Sequence, residues 1–258
     1  MKRFVLLALI SVLSLSSCGI IAQRTWDAGQ LVAAASNAMT AMTLSDQDII
    51  QLSQQTVTQL DAQNTIDNGT YAKRLAGIMK GISEVEGLKL NYKVYRTQEV
   101  NAFACGDGSI RVYSGLMDIM DDAELMAIIG HECGHVVHQD SKKAMKAAYL
   151  AAAARNVVSA TGGTVASISK SAIGDITETF VNSQFSQKQE FAADDYGYKF
   201  STEHGYSPYS MSKALEKLVQ LSGGAKAPLV QRMFSSHPDS AKRAQRMKEK
   251  ADAAQQAE

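Results

Sequence analysis

No stretch of this chain constrains its fold more than His131-Glu132-Cys133-Gly134-His135. At about 100° per residue, positions four apart on an α-helix lie about 40° apart on one face, a single turn from each other. Two imidazoles so placed can grip one metal ion. Glu132 falls about 100° from His131 and about 60° from His135, beside such an ion without being forced onto it. A carboxylate in that position can take a proton from a water that zinc has acidified. The fold must therefore hold these five residues in a helix, turn one face of it toward a pocket, and bring a further ligand from elsewhere.

His138 is poorly placed for that role, being near the azimuth of His131 but roughly 10 Å further along the axis. The extended pattern H-E-x-x-H-x-x-G-x-x-H also fails, with His138 where glycine is expected and Ser141 where the third histidine would stand. The best remaining candidate is Gln189-Glu190-Phe191-Ala192-Ala193-Asp194, where Glu190 and Asp194 share one helical face. Glu190 would be the ligand, and Asp194 would accept the other N–H of a ligating histidine and so fix its tautomer. The alternative is a solvated pair of helix carboxylates. Asp195 reads as surface. Three converging ligands suit a catalytic zinc, one per chain, better than a structural zinc, which usually has four and often uses cysteine.

The surrounding pattern is mostly helical. Asp121 with Glu124 opens the histidine helix, which carries Leu125, Ile128 and Ile129. Ser45 with Asp48 opens an earlier one with the stripe Ile49, Leu52, Val57 and Leu60. After a break at residues 64–70, Tyr71, Leu75, Ile78, Met79 and Ile82 form a second stripe, which Gly87 ends. The period then changes: Leu88, Leu90, Tyr92 and Val94 alternate with Lys89, Asn91, Lys93 and Tyr95, as in a half-buried strand. Residues 100–104 and 110–113 flank Cys105-Gly106-Asp107-Gly108 and predict a hairpin. The Gly- and Ser-rich residues 159–175 read as a loop or mobile cover, and residues 194–204, 210–221 and 240–254 as later helices. The fold class predicted is α+β, mostly helical, with one small sheet beside the histidine helix.

The N-terminus reads as an export signal over residues 1–17: Lys2 and Arg3 precede a short apolar stretch, Phe4 to Leu15. Leu15-Ser16-Ser17-Cys18-Gly19 resembles the bacterial lipobox, in which the cysteine is lipidated, the alternative being an ordinary cleaved signal. Residues 18–70 would be a tether and helical segment, and 71–258 the catalytic domain. Without Lys2 and Arg3 the chain carries 24 basic against 26 acidic residues, which argues against a nucleic-acid partner. The alanine-rich residues 147–160 are too short for a membrane span and contain Arg155 and Asn156. Cys105 and Cys133 either bridge strand and helix or stay free; Cys133 points away from the histidine face and is a poor ligand.

One set of motifs is specific in its order: Asn101-Ala102-Phe103-Ala104, Ile110 to Leu116, the H-E-x-x-H helix, Glu190-x-x-Ala193-Asp194, and Ser236-His237-Pro238 with Arg243. Together they resemble the HtpX-like and CAAX-prenyl-protease-related family of gluzincin metallopeptidases, over roughly residues 71–250, and most of all its soluble periplasmic lipoprotein members. The chain lacks the membrane helices of HtpX and the prenyl proteases. The resemblance implies a zincin-like fold and peptide hydrolysis, with zinc on His131, His135 and Glu190 and Glu132 as general base. His237 would donate to the oxyanion or cap the helix at Ser240, and Arg243 would brace the site or form a surface ion pair. Extended substrate would lie along the strand 101–104. The resemblance further implies cell-envelope quality control: misfolded or misassembled protein substrates, and a lipid anchor at Cys18 in the outer membrane, facing the periplasm. Gly19, where some lipoproteins carry aspartate, favours that membrane. A chaperone-like lipoprotein that binds clients and cuts little is the alternative.

Overall fold

The computed structural model describes residues 44–155 and 168–256; the residues read as export signal, lipidated Cys18 and tether lie outside them, as does most of the Gly- and Ser-rich stretch. Helix α1 (Asp46–Gln63) opens at Ser45 with the predicted capping box and buries Ile49, Leu52, Val57 and Leu60. Helix α2 (Thr70–Ile78) ends before its apolar stripe does. Gly81, with φ of 83°, turns the chain away, yet Met79 and Ile82 stay buried. Gly87 does not end this helix. It sits with Glu86 in a two-residue turn, φ of 46° and 79°, joining β1 (Glu84–Val85) to β2 (Leu88–Lys89). Positive φ at both positions suits the right-handed twist of a tight hairpin.

The strand predicted over Leu88–Val94 is two strands, because the Leu90 N–H turns back to the Ser83 carbonyl. β3 (Asn91–Tyr95) runs parallel to β5 (Ser109–Tyr113), which pairs antiparallel with β4 (Ala102–Ala104) in the order β3-β5-β4. The predicted hairpin is therefore β4–β5, and β4 is a sheet edge. Alternation predicts Tyr95 outside, but it is fully buried and Arg111 is 1% exposed. The reason is a second covering layer: α1 sends Asp61 onto both side chains.

Helix α3 (Ser114–Ile119) leads to α4 (Asp122–Val137), which Asp121 and Glu124 cap as predicted and which carries the histidine motif. Then follow α5 (Asp140–Ala154), α6 (Lys170–Val181), α7 (Gln187–Glu203), α8 (Ser210–Ser222), α9 (Ala227–Ser236) and α10 (Ser240–Gln256). Helix α6 takes in Lys170 to Asp175, which glycine and serine content assigned to a loop; Ser169 accepts from the Ala172 N–H to start it. Helix α7 begins seven residues before Asp194, at a Ser186–Gln189 capping box, and α9 falls outside the three later helices whose bounds the pattern gave.

Small residues let α4 and α7 come close. A Cβ on Gly134 would stand 3.0 Å from the Ala193 Cα, and one on Gly197 would stand 2.6 Å from the Ala127 carbonyl. That approach carries Glu190 to the histidines. The main apolar core joins α4, the sheet and α8, and a second core lies among α1, α5 and α6. Cys133 belongs to the first, Cys105 to the second, and both are free thiols, so strand and helix are not bridged. Burial pushes the Cys133 thiol up to about 12, with a further push from Glu132. Among the described residues no helix is long and apolar enough to cross a membrane.

Candidate metal centre

Helix α4 presents His131 and His135 to the interior, each 1% exposed, and α7 places the fully buried Glu190 opposite them. The two Nε2 atoms are 3.1 Å apart, and Glu190 Oε1 lies 3.3 Å from that of His135. His237, at the end of α9, adds Nδ1, 3.3 Å from His131 Nε2 and 3.0 Å from Glu190 Oε1. Ligand atoms of these four residues all lie within 4.8 Å of one another. Among the described residues they form the one such group.

The far side of each ring explains why these atoms suit a cation. His131 Nδ1 is 2.9 Å from Asp194 Oδ1, and His135 Nδ1 is 3.3 Å from Asp140 Oδ2. A carboxylate can only accept, so each Nδ1 carries a proton, and when the ring is neutral its Nε2 lone pair turns toward the other ring. Nitrogens each about 2.0–2.1 Å from a tetrahedral zinc would stand about 3.3 Å apart, which the observed spacing nearly matches. Burial holds His131 below its ordinary pKa, against the pull of Asp194. For His135 burial acts the same way, but Asp140 and Glu190 outweigh it and lift the pKa to about 9. In the metal-free protein a proton therefore takes the place of a cation at that ring.

Charge tells the same story. Burial would raise the Asp194 pKa, but Arg243, 2% exposed, holds it at about 2 through two hydrogen bonds of 2.8 and 2.7 Å. Burial opposes ionisation of Glu190 too, and is overcome by His237, His135 and His131. Arg243 also pairs with Glu190, so it braces the site and is no surface ion pair. Glu132, Glu190, Asp194 and Asp140 against Arg243 and Lys143, which pairs with Asp140, leave a net charge of −2 with neutral histidines, which a divalent cation would cancel.

Glu132 is 2% exposed, and its Oε1 has no hydrogen-bond partner, lying 3.7 Å from His237 Nε2. Beside it runs a groove walled by Asn101 to Ala104, Phe180 and Val181. The His237 ring faces this centre and does not cap α10, though its carbonyl accepts from the Ser240 hydroxyl at 3.4 Å. His138 lies apart, at the C-terminus of α4 with its ring edge-on to Tyr196. Asp195 faces outward and pairs with Arg246 and Lys250.

Two neighbours escaped the sequence reading. Asp140 begins α5 directly after Gln139, whose φ is 61°. Phe185 stacks on His135 with ring centres 3.9 Å apart. Also unforeseen was His237 as a member of the donor group itself, since the family motif suggested only a role facing substrate.

A donor set of this kind, on a helix packed beside a sheet edge, defines a zincin-like metallopeptidase. Residues 71–251 match the model of Peptidase family M48. The chain belongs to that family, and it is a zinc metalloendopeptidase. It is 41% identical to Metalloprotease LoiP of Escherichia coli (strain K12) over 257 residues, 98% of each chain. Metalloprotease YcaL of the same organism is 39% identical over 227 residues, 87% of this chain and 88% of that one. A more distant relative is the mitochondrial metalloendopeptidase OMA1 of Arabidopsis thaliana, 29% identical over 62% of this chain and 31% of its own length.

Proposed function

We propose that this metalloendopeptidase cuts misfolded or misassembled proteins of the bacterial cell envelope, holding its zinc on His131, His135 and Glu190 and using Glu132 as general base. The observation that carries the chemistry is the Glu132 carboxylate, buried beside the donor group and among the residues that line the groove, with Oε1 unpartnered. Zinc, when bound, supplies a Lewis acid that polarises the scissile carbonyl and lowers the pKa of water. Glu132 takes the proton of the attacking water and passes it to the leaving amine. His237 Nε2, 3.7 Å from Glu132 Oε1, donates to the oxyanion as it develops. Arg243 keeps Asp194 ionised, and Asp194 holds the His131 ring in the tautomer that leaves Nε2 free.

The substrate class follows from the groove. Edge strand β4 can pair by main chain with an extended segment, and the buried Oδ1 of Asn101, without a partner of its own, can accept one more amide. Only an unfolded stretch offers its backbone in that way. Location rests on the sequence: a signal over residues 1–17, lipidation of Cys18, a tether and helical segment over 18–70, and the peptidase over 71–258, held at the outer membrane and facing the periplasm. Replacing Cys18 with serine should then release the protein or block its processing.

Wild type and Glu132→Gln, both zinc-loaded, would be incubated with one protein in its native and its unfolded form, and fragments followed by mass spectrometry. Wild type should cut the unfolded form, and the variant should be 10²- to 10⁴-fold slower. Equal cutting by both would remove Glu132 as base, and equal cutting of native and unfolded forms would remove the substrate class.

A further inference from the structure

Asp194 is not the sole carboxylate that orients a histidine here. The edge of His135 opposite the donor group meets Asp140, which is 3% exposed at the first position of α5. Asp140 is held in turn: its Oδ1 accepts from Gln189 Nε2 at 2.8 Å, and from the mostly exposed Lys143 at 3.3 Å. Gln189 stands one residue before Glu190. Its amide has no freedom to turn over, because its oxygen accepts from the Ser186 N–H at 2.9 Å and the Ser186 hydroxyl at 2.7 Å. A backbone N–H can only donate, so the oxygen must face Ser186 and the NH₂ must face Asp140.

We propose that Asp140 and Gln189 are a positioning pair for His135: Gln189 fixes Asp140, and Asp140 fixes the tautomer and plane of the ring, so that Nε2 faces the zinc position. The chain of contacts ties the start of α7, which carries Glu190, to the end of α4, which carries His135. Asp140 stands to His135 as Asp194 stands to His131, but its fastening differs. Asp194 has a buried arginine. Asp140 has a neutral amide that also caps a helix, so the second histidine is set by the same residue that begins the helix of the third donor.

The inference rests on His135 being a zinc ligand, and the experiment separates the two statements. Donor and acceptor can be exchanged across the pair. In Asp140→Asn the new NH₂ meets the Gln189 NH₂ if its oxygen stays on His135. In Gln189→Glu a carboxylate meets a carboxylate, although glutamate still completes the capping box with Ser186. The double variant Asp140→Asn/Gln189→Glu restores one donor facing one acceptor and leaves an oxygen for His135. Zinc affinity of the purified proteins would be measured by competition with a chromogenic chelator, with kcat and KM on a peptide and a thermal melt of each metal-free form.

Each single variant should bind zinc 10- to 100-fold more weakly. The double variant should recover to within about threefold of wild type, with KM unchanged throughout. Single variants that bind zinc like wild type would overturn the pairing, even if their metal-free forms melt earlier. So would a double variant as weak as the product of the two singles. His135→Ala is the control: if it keeps wild-type zinc affinity, the ligand assignment falls; if it loses zinc while the pair variants do not, only the positioning role falls.

Discussion

Two arginines are buried among the described residues, and they serve different ends. Arg111 lies between the sheet and α1, with Asp61 accepting from its Nε at 2.8 Å and its Nη2 at 3.0 Å. Tyr95 and Lys93 complete the coordination of Asp61, each with one further bond of 2.6 to 2.7 Å. Arg243 makes the same two-bond clasp on Asp194, but the surrounding centre holds three more buried carboxylates, Glu132, Glu190 and Asp140, and three inward-facing imidazoles. The Arg111 cluster is complete in itself. The Arg243 cluster is left electron-rich, with two imidazole Nε2 atoms facing one another across about 3 Å. The same clasp closes a structural joint in one place and, in the other, holds a site ready for a cation.

Removing the arginines should separate the two most sharply. Arg243→Met leaves Asp194 and Glu190 buried without their cation, a loss of about 3 to 5 kcal/mol in the metal-free protein. Saturating zinc should recover part of it, since a divalent ion restores positive charge. Arg111→Met leaves Asp61 with Lys93 and Tyr95 and a partly open path to water, so about 1 to 3 kcal/mol is expected, indifferent to zinc. Urea denaturation with and without zinc measures both, and equal rescue by zinc in the two variants would erase the distinction.

Acid should sharpen the comparison. Asp61 and Asp194 are each held at about 2, below the ordinary carboxylate value; burial opposes this, and the arginine and its neighbours prevail. Each therefore contributes stability that is present above about pH 4, the unfolded value, and lost as pH falls toward 2. The shift corresponds to about 2 kcal/mol apiece. The metal centre should weaken earlier, because protons compete for His135, whose metal-free pKa is about 9. Zinc affinity should thus decline steadily below pH 9, while the metal-free protein keeps its stability down to about pH 4. A stability curve of the metal-free form that falls in parallel with zinc affinity would contradict this.

The smallest effect expected is that of Tyr95→Phe. It removes one bond to Asp61 and should cost about 1 kcal/mol while leaving zinc affinity and kcat untouched.

What the sequence revealed of this division is uneven for a physical reason. His131, Glu132 and His135 were legible because helical spacing is itself a geometry, and the caps at Ser45 and Asp121 because they are local. Glu190 was a candidate from its helical spacing with Asp194, but only family resemblance chose between a ligand and a solvated pair. Arg243 came through resemblance alone, since no local pattern says which distant carboxylate or arginine will meet a helix. The pairing of Asp61 with Arg111, fifty residues apart, left no trace in alternation, which sees one covered face of a sheet and not two. Asp140 was hidden behind the left-handed Gln139, a break that helical periodicity cannot cross. The closeness of α4 and α7 did have a signal that went unused: Gly130 and Gly134 on one helix, Ala193 and Gly197 on the other, each pair four apart.

The central claim is that the electron-rich cluster is the zinc site and that its third ligand is Glu190. The direct measurement is the zinc content of purified wild type, Glu190→Gln and Asp61→Asn after equilibration with zinc and gel filtration. Asp61→Asn should retain one zinc per chain, as wild type does. Glu190→Gln, which keeps the side chain's size but not its charge, should lose most of it while remaining folded. Full zinc in Glu190→Gln would contradict the account.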